Sequence, residues 1–248
     1  MRSRLDVEMA RRGLADSRES ARRLVMAGRV RVNSRPADKP DLRVEADTPI
    51  EVIAAGRQYA SRGAYKLIGA LDHFGVSAEG KRALDVGAST GGFTDVLLAR
   101  GAKSVIALDV GYGQIAARIR SDPRVIVRDR TNIRHVTPDE LPYQPELATI
   151  DVSFISLRLV LPAVLALLGA RAEIIALIKP QYEVGKGKVG KGGIVRDENL
   201  RYETVDAILQ FARELGLEVA GVIESPIEGA DGNREYLALM RVKDVGAR

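Results

Sequence analysis

Lys66, Asp151, Lys179 and Glu235 are four charged residues scattered along a chain of 248, each set beside its own local signal. Lys66 follows Ser61-Arg62-Gly63-Ala64-Tyr65, and Asp151 closes the run Leu147-Ala148-Thr149-Ile150. Lys179 closes Ile174-Ile175-Ala176-Leu177-Ile178, and Glu235 opens Tyr236-Leu237-Ala238-Leu239-Met240. Charges at the ends of strand-like runs suit an α/β enzyme, because ligands sit outside the carboxyl ends of the strands. Two amines and two carboxylates drawn into one pocket are a set fit to activate a sugar hydroxyl. Taken singly, Lys66 reads as a surface lysine at a helix start and Glu235 as an edge-strand carboxylate. Only together do the four point to chemistry.

A second constellation lies in Leu84-Asp85-Val86-Gly87-Ala88-Ser89-Thr90-Gly91-Gly92-Phe93-Thr94-Asp95. Glycines there let the backbone turn sharply and approach a ligand without side-chain obstruction. The G-x-G-x-x-G spacing of dinucleotide binders is absent. Asp85, two positions before the first glycine, would repel a pyrophosphate but suits a cationic ligand bearing an amino group. NAD and nucleoside phosphates are therefore disfavoured. Asp109 ends the next run, Val105-Ile106-Ala107-Leu108, where a carboxylate can accept hydrogen bonds from ribose hydroxyls.

From residue 61 onward, strand-like and helix-like runs alternate. Strands are expected at 82–86, 104–108, 125–128, 147–150, 174–178, 218–223 and 236–242, with helices at 94–100, 115–120, 157–168 and 200–215. Such βαβ alternation predicts a parallel, doubly wound sheet over residues 61–248.

Residues 1–56 read differently. A short helix over 5–14 closes at Gly13, and Ser17 caps a second helix over 18–27, with Ala21, Leu24 and Val25 at helical spacing. Gly28 ends it, Val30-Arg31-Val32-Asn33 alternates like a strand, residues 33–36 turn, and 50–53 form a further strand. Residues 57–60 serve as a linker. Residues 1–36 hold ten arginines against four acids, an excess larger than the +5 of the whole chain. Arginine's planar fork binds two phosphate oxygens at once, which makes Arg4, Arg11, Arg18, Arg22, Arg23, Arg29 and Arg31 candidates for contact with nucleic acid. A solvated basic face is the plainer reading.

The bulk composition excludes several classes. With 46% hydrophobic and 29% charged residues, the chain suits a globular core. Without cysteine it has neither disulfides nor thiolate metal sites, and His73 and His135 are too isolated to suggest zinc. No apolar run approaches the roughly 18 residues that span a bilayer, and no signal peptide opens the chain. A cytoplasmic protein without metal or membrane attachment is expected.

"LDVEMARRGLADSRESARRLVMAGRVRVNSRPADKPDLRVEADTPIEV" resembles the S4 RNA-binding domain. The loop around Gly87 resembles motif I of S-adenosylmethionine-dependent methyltransferases, whose donor carries a sulfonium and an ammonium. Lys66, Asp151, Lys179 and Glu235 match, residue by residue, the K-D-K-E tetrad of RNA 2′-O-methyltransferases resembling FtsJ (also called RrmJ). "SRGAYKL", "DVSFISL", "LIKPQYEVGKGKVGKGG" and "GNREYLALM" are closer still to the TlyA family, first labelled hemolysins. The resemblance implies a Rossmann-like methyltransferase sheet behind a small α+β S4 domain, with S-adenosylmethionine as donor and Asp129 beside its adenine. It implies 2′-O-methylation of cytidine ribose in 16S and/or 23S ribosomal RNA; a monomer would suit an enzyme that reaches into the surface of a ribosomal subunit.

A ribose 2′-OH is a poor nucleophile near neutral pH. A lysine flanked by apolar residues and a second lysine loses its proton more readily, so Lys179 is the expected general base, with Lys66 nearby. Asp151 would orient it, and Glu235 would hold the hydroxyl or an ammonium. Residues 185–193 form a basic, glycine-rich loop fit to wrap an RNA backbone. Phe154, Tyr182 and Phe93 would stack on a flipped base or belong to the core. At 4% aromatics, shape and phosphate contact should dominate recognition. Two other readings stand beside this one: a non-catalytic RNA-binding or ribosome-assembly factor on the same scaffold, and a membrane-lytic protein as the hemolysin label suggests.

Overall fold

The computed structural model describes residues 2–26, 29–37, 39–52, 58–185, 187–229 and 232–243. The chain divides into two compact units, Met1–Gln58 and Tyr59–Arg248.

The first unit holds β1 (Ser3–Arg4), α1 (Leu5–Arg11), α2 (Arg18–Met26), β2 (Val30–Val32), β3 (Arg35–Pro36), β4 (Arg43–Val44) and β5 (Ile50–Val52). Leu5, Met9, Ala21, Val25 and Val30 form its core. The Ser17 hydroxyl accepts from the Ser20 N–H at 3.1 Å, the expected cap of α2. Asn33 and Ser34 both take positive φ, 50° and 62°, which makes β2–β3 a tight two-residue hairpin. Pro36, expected in the turn, therefore lies in β3. Helix α1 stops at Arg11 rather than reaching residue 14. β1 and β4 pair with each other over two residues each, too short to show a period. Positions 27, 28, 53 and 57, where the expected second helix, its glycine stop, the last strand and the linker fall, lie outside the described residues.

The second unit is built on β6 (Arg82–Val86), β7 (Ser104–Leu108), β8 (Val125–Arg128), β9 (Leu147–Ile150), β10 (Glu173–Ile178), β11 (Leu217–Glu224) and β12 (Tyr236–Val242). Around them lie α3 (Ala64–Phe74), α4 (Gly92–Ala99), α5 (Ala117–Arg120), α6 (Leu157–Leu167), α7 (Pro180–Glu183) and α8 (Glu198–Glu214). The strand order is β11-β12-β10-β9-β6-β7-β8. β6 to β10 run parallel, as the alternation predicts, but β12 runs antiparallel to both β10 and β11. Residues 225–235 are too few for the dozen-residue crossover that a parallel return needs, so the chain reverses.

Period-two alternation splits the core between the two sheet faces. Leu84, Val86, Ile106, Leu108 and Ile150 pack under α6 and α8, whereas Ala83, Val105, Ala107 and Leu177 pack under α3 and α4. The parallel strands end together, and the Asp151 N–H donates to the Val86 carbonyl at 2.9 Å. Because β12 runs the other way, with Tyr236 opposite Ile178, its leading residue Glu235 falls at the end where Lys179 leaves β10. β12 is an interior strand. Glu235 is accordingly buried, not the edge carboxylate that the sequence alone suggests.

Candidate active site

The loop after β6 turns on Gly87, whose φ is +83°. A Cβ there would stand 2.3 Å from the Asp151 carbonyl oxygen, so the close approach of two loops requires glycine. Ser89 also takes a positive φ and donates its N–H to Asp109 Oδ2 at 2.8 Å. The Gly111 N–H donates to Asp109 Oδ1 at 2.7 Å. Asp109 thus clasps the glycine loop to the loop after its own strand. Between them opens a cleft of about 450 Å³, walled by Gly87, Ser89, Asp109, Gln114, residues 131–133 and residues 151–155. Ser89 and Thr90 are exposed on the loop, while Ala88, Gly91 and Gly92 are buried in it. Phe93 is 3% exposed and belongs to the core.

Two expected cofactor residues stand elsewhere. Asp85 is fully buried, accepting from Thr94 Oγ1 at 2.6 Å and from Thr149 Oγ1 at 2.9 Å. It faces the α4 side of β6, two residues before the chain leaves the sheet, and so braces the loop from beneath instead of lining the cleft. Asp129 binds Arg120 at 2.8 Å and the Gly113 N–H at 3.2 Å, and the Arg120 guanidinium holds its carboxyl below the usual range. After β8 it is Thr131, Asn132 and Ile133 that reach the cleft. Nothing in their types marked them in the sequence.

Burial pushes the Asp85 carboxyl up to about 6; the two threonine hydroxyls oppose this, and the nearby Asp151 charge adds to it. A carboxyl raised above its unfolded value contributes stability below about pH 4 and loses it as pH rises through about 6. We expect the stability of wild type, measured against Asp85→Asn, to fall by on the order of 3 kcal/mol across that window. Melting curves of both proteins from pH 4 to 7 check this, and parallel curves would refute it.

The four scattered charges meet as two ion pairs. Lys66 Nζ lies 2.5 Å from Glu235 Oε2, and Lys179 Nζ lies 2.6 Å from Asp151 Oδ1. Lys179 also donates to Ser153 Oγ at 2.9 Å. Lys66 and Lys179 are 8% and 9% exposed. Removing one partner of the buried Lys66–Glu235 pair leaves an uncompensated charge and typically costs about 3–5 kcal/mol, whereas the Asp151 side chain of the other pair is 23% exposed. Lys66 and Asp151 border one cavity of about 370 Å³, together with Ser61, Gly63 and the glycine loop. Gly87, Ser89 and Asp151 border both this cavity and the cleft, so the two spaces adjoin. Each amine thus has its own carboxylate.

Ser153 was missed in the sequence, although it stands between Asp151 and Phe154. Phe154 is 89% exposed at φ +64°, its ring 5.1 Å from that of Tyr182. It is not core. Asn233, also missed, accepts from the Val195 N–H at 3.2 Å and donates to the Gly193 carbonyl at 2.9 Å. It anchors the end of the basic loop to the segment that carries Glu235.

In the first unit, three of the seven expected RNA contacts hold buried acids. Arg4 and Arg18 grip Asp6 at 3.0 and 3.1 Å, and Arg11 grips Glu8 at 2.5 Å. Both acids are almost fully buried, and these guanidiniums hold them below the usual carboxylate range. Arg12, outside the expected set, joins them on Glu8 at 2.7 Å. Arg22, Arg23 and Arg31 are exposed, Arg29 is half-buried, and Arg18, Arg22 and Arg23 edge a shallow groove beside Met26. Among the described residues there is no metal-holding group of three or more His, Cys, Asp or Glu, and no helix long and apolar enough to cross a membrane.

A doubly wound sheet with one antiparallel strand set inside its edge, and a glycine loop after the sheet's first strand in sequence, is the frame of S-adenosylmethionine-dependent methyltransferases. Such an enzyme from Mesorhizobium loti matches it with a TM-score of 0.52 at 18% identity, over 70% of this chain and 96% of that one. The chain belongs to the FtsJ-like methyltransferase family, whose model matches residues 59–242, and it carries an S4 domain at residues 3–50. The 16S/23S rRNA (cytidine-2′-O)-methyltransferase TlyA of Mycobacterium tuberculosis is 49% identical over 98% of this chain and 91% of its own length. Hemolysin A of Brachyspira hyodysenteriae is 39% identical over 95% of this chain and 98% of its own.

Proposed function

We propose that this chain transfers a methyl group from S-adenosylmethionine to the 2′-OH of a cytidine ribose in ribosomal RNA. The observation that carries this reading is the two ion pairs, Lys66–Glu235 and Lys179–Asp151, with Asp151 on the wall of the glycine-lined cleft and Lys66 and Asp151 on the cavity adjoining it. The cleft suits the donor in size, in the bare backbone of Gly87, and in the Asp109 carboxylate available to ribose hydroxyls. S-adenosylmethionine supplies an electrophilic methyl on a sulfonium. The chain's own groups hold and deprotonate the hydroxyl, since displacement in line demands orientation above all.

Lys179 takes the hydroxyl proton. Its amine must enter that step uncharged, because an ammonium is a donor only. Asp151 and Ser153 fix the direction of the amine, and Glu235 keeps Lys66 turned toward the same cavity. Arg22, Arg23 and Arg31 of the first unit meet phosphates, while Arg4, Arg11 and Arg18 serve RNA only after serving Asp6 and Glu8. The chain acts as a cytoplasmic monomer on ribosomal subunits.

The test is transfer from isotopically labelled donor to purified subunits, with the modified ribose mapped by primer extension. Label on a base, or none, sinks the proposal. In the same assay, with donor saturating, Phe154→Ala loses a stacking face worth about 1–3 kcal/mol, and kcat/KM for RNA should drop roughly tenfold to hundredfold. An unchanged kcat/KM would remove Phe154 from substrate contact.

A further inference from the structure

Two loops meet beyond the ends of β9 and β10. Residues 151–156 carry Asp151, Ser153 and Phe154, while the other loop is Lys179 followed directly by α7. Glu183, the last residue of α7, turns its carboxylate to the far end of the first loop. Ser156 donates its hydroxyl to Glu183 Oε2 at 2.5 Å, and the Leu157 N–H donates to Oε1 at 2.8 Å. Ser156 is itself the cap of α6, accepting from the Arg158 N–H at 3.1 Å. The carboxylate therefore rests at the positive end of that helix. Burial raises the Glu183 carboxyl, and the Leu157 N–H, the Ser156 hydroxyl and the Arg158 charge oppose the rise.

The near ends of the same loops are tied by Lys179 to Asp151 and Ser153, and by the ring of Phe154 leaning on Tyr182. Loop and helix are thus fastened at both ends, with Phe154 held in the left-handed region between them. That conformation costs a phenylalanine about 1–3 kcal/mol and persists only where its flanks over-determine it.

We propose that Glu183 is a positioning residue for methyl transfer: by fixing Ser156 and Leu157 against α7, it sets the Lys179–Asp151–Ser153 geometry and holds Phe154 over the entrance. This inference rests on the function proposed above. Its plain rival is a helix cap whose loss lowers stability and nothing else.

Single-turnover rates with S-adenosylmethionine and ribosomal subunits, both saturating, decide between them. Glu183→Ala should slow the reaction roughly tenfold to hundredfold, the cost of a misplacement near 1 Å, a loss that saturating donor does not repair even though residues 151–155 also wall the cleft. Glu183→Gln keeps an acceptor for Leu157 and an amide toward Ser156, so it should recover most of the rate. It also keeps the comparison alive should the alanine variant fail to fold. Because Glu183 acts by setting the geometry around Lys179, adding Glu183→Ala to Lys179→Ala should slow the reaction far less than it slows wild type. A wild-type rate for Glu183→Ala overturns the inference, and so does an undiminished loss on top of Lys179→Ala. A wild type that methylates no ribose instead overturns the function itself, and this inference with it.

Discussion

Lys179→Ala should lower the single-turnover rate of methyl transfer by about 10²–10⁴-fold, the usual worth of a positioned acid–base group. Donor affinity should stay near wild type, because Lys179 is absent from the walls of the cleft that Gly87 and Asp109 shape. The variant frees Asp151 from its ion pair at 2.6 Å, but that carboxylate side chain is 23% exposed and can draw water in its place. Folding should therefore survive, which melting curves will show. Lys179→Arg should not rescue the rate, since a guanidinium does not give up its proton and its planar fork does not fit a site shaped for a compact amine. Rapid-quench measurement of methylated ribose under saturating donor and RNA checks both variants. A rate within twofold of wild type for the alanine variant would reduce Lys179 to a structural partner of Asp151.

Gly87→Ala carries the second large effect, on donor binding. The added methyl would stand 2.3 Å from the Asp151 carbonyl oxygen and 2.9 Å from its carbon, against backbone that has no rotamer to change. A non-glycine residue at φ +83° is strained besides, at about 1–3 kcal/mol. Overpacking of this kind adds about 1–3 kcal/mol more. The loops after β6 and β9 must part, which pulls apart both the cleft wall and the Asp151–Lys179 pair. Donor Kd should weaken on the order of a hundredfold, equivalent to about 3 kcal/mol. Titration calorimetry with S-adenosylmethionine reads it directly, and an unchanged Kd would show that the donor lies away from this loop.

The sheet could be read from the sequence because its strands are short apolar runs bounded by charges and glycines. β6, β7, β8, β9 and β12 begin and end where the periodicity puts them. What periodicity does not encode is direction, and the antiparallel course of β12 came instead from the shortness of residues 225–235. Similarly, Asp85 lay in the right segment, but its contact depends on which sheet face it points to, and alternation along β6 sends it beneath the loop. Arginine counting on residues 1–36 could not separate guanidiniums that face outward from those that neutralise Asp6 and Glu8, since both acids look like ordinary surface residues in an amphipathic helix. For Phe154 the sequence leaves two readings open, a stacking face or core. An aromatic residue beside a strand suggests core, and only its positive φ turns the ring into the open.

The strand carrying Glu235 at its head is the last of the seven in sequence, yet it lies between β10 and β11. Until residues 236–242 leave the ribosome, β11 has nothing to pair with, and one side of β10 stays an open edge. Lys66 lacks its carboxylate for the same interval. The set of four charges is therefore completed only when this last strand of the sheet has taken its place beside β10.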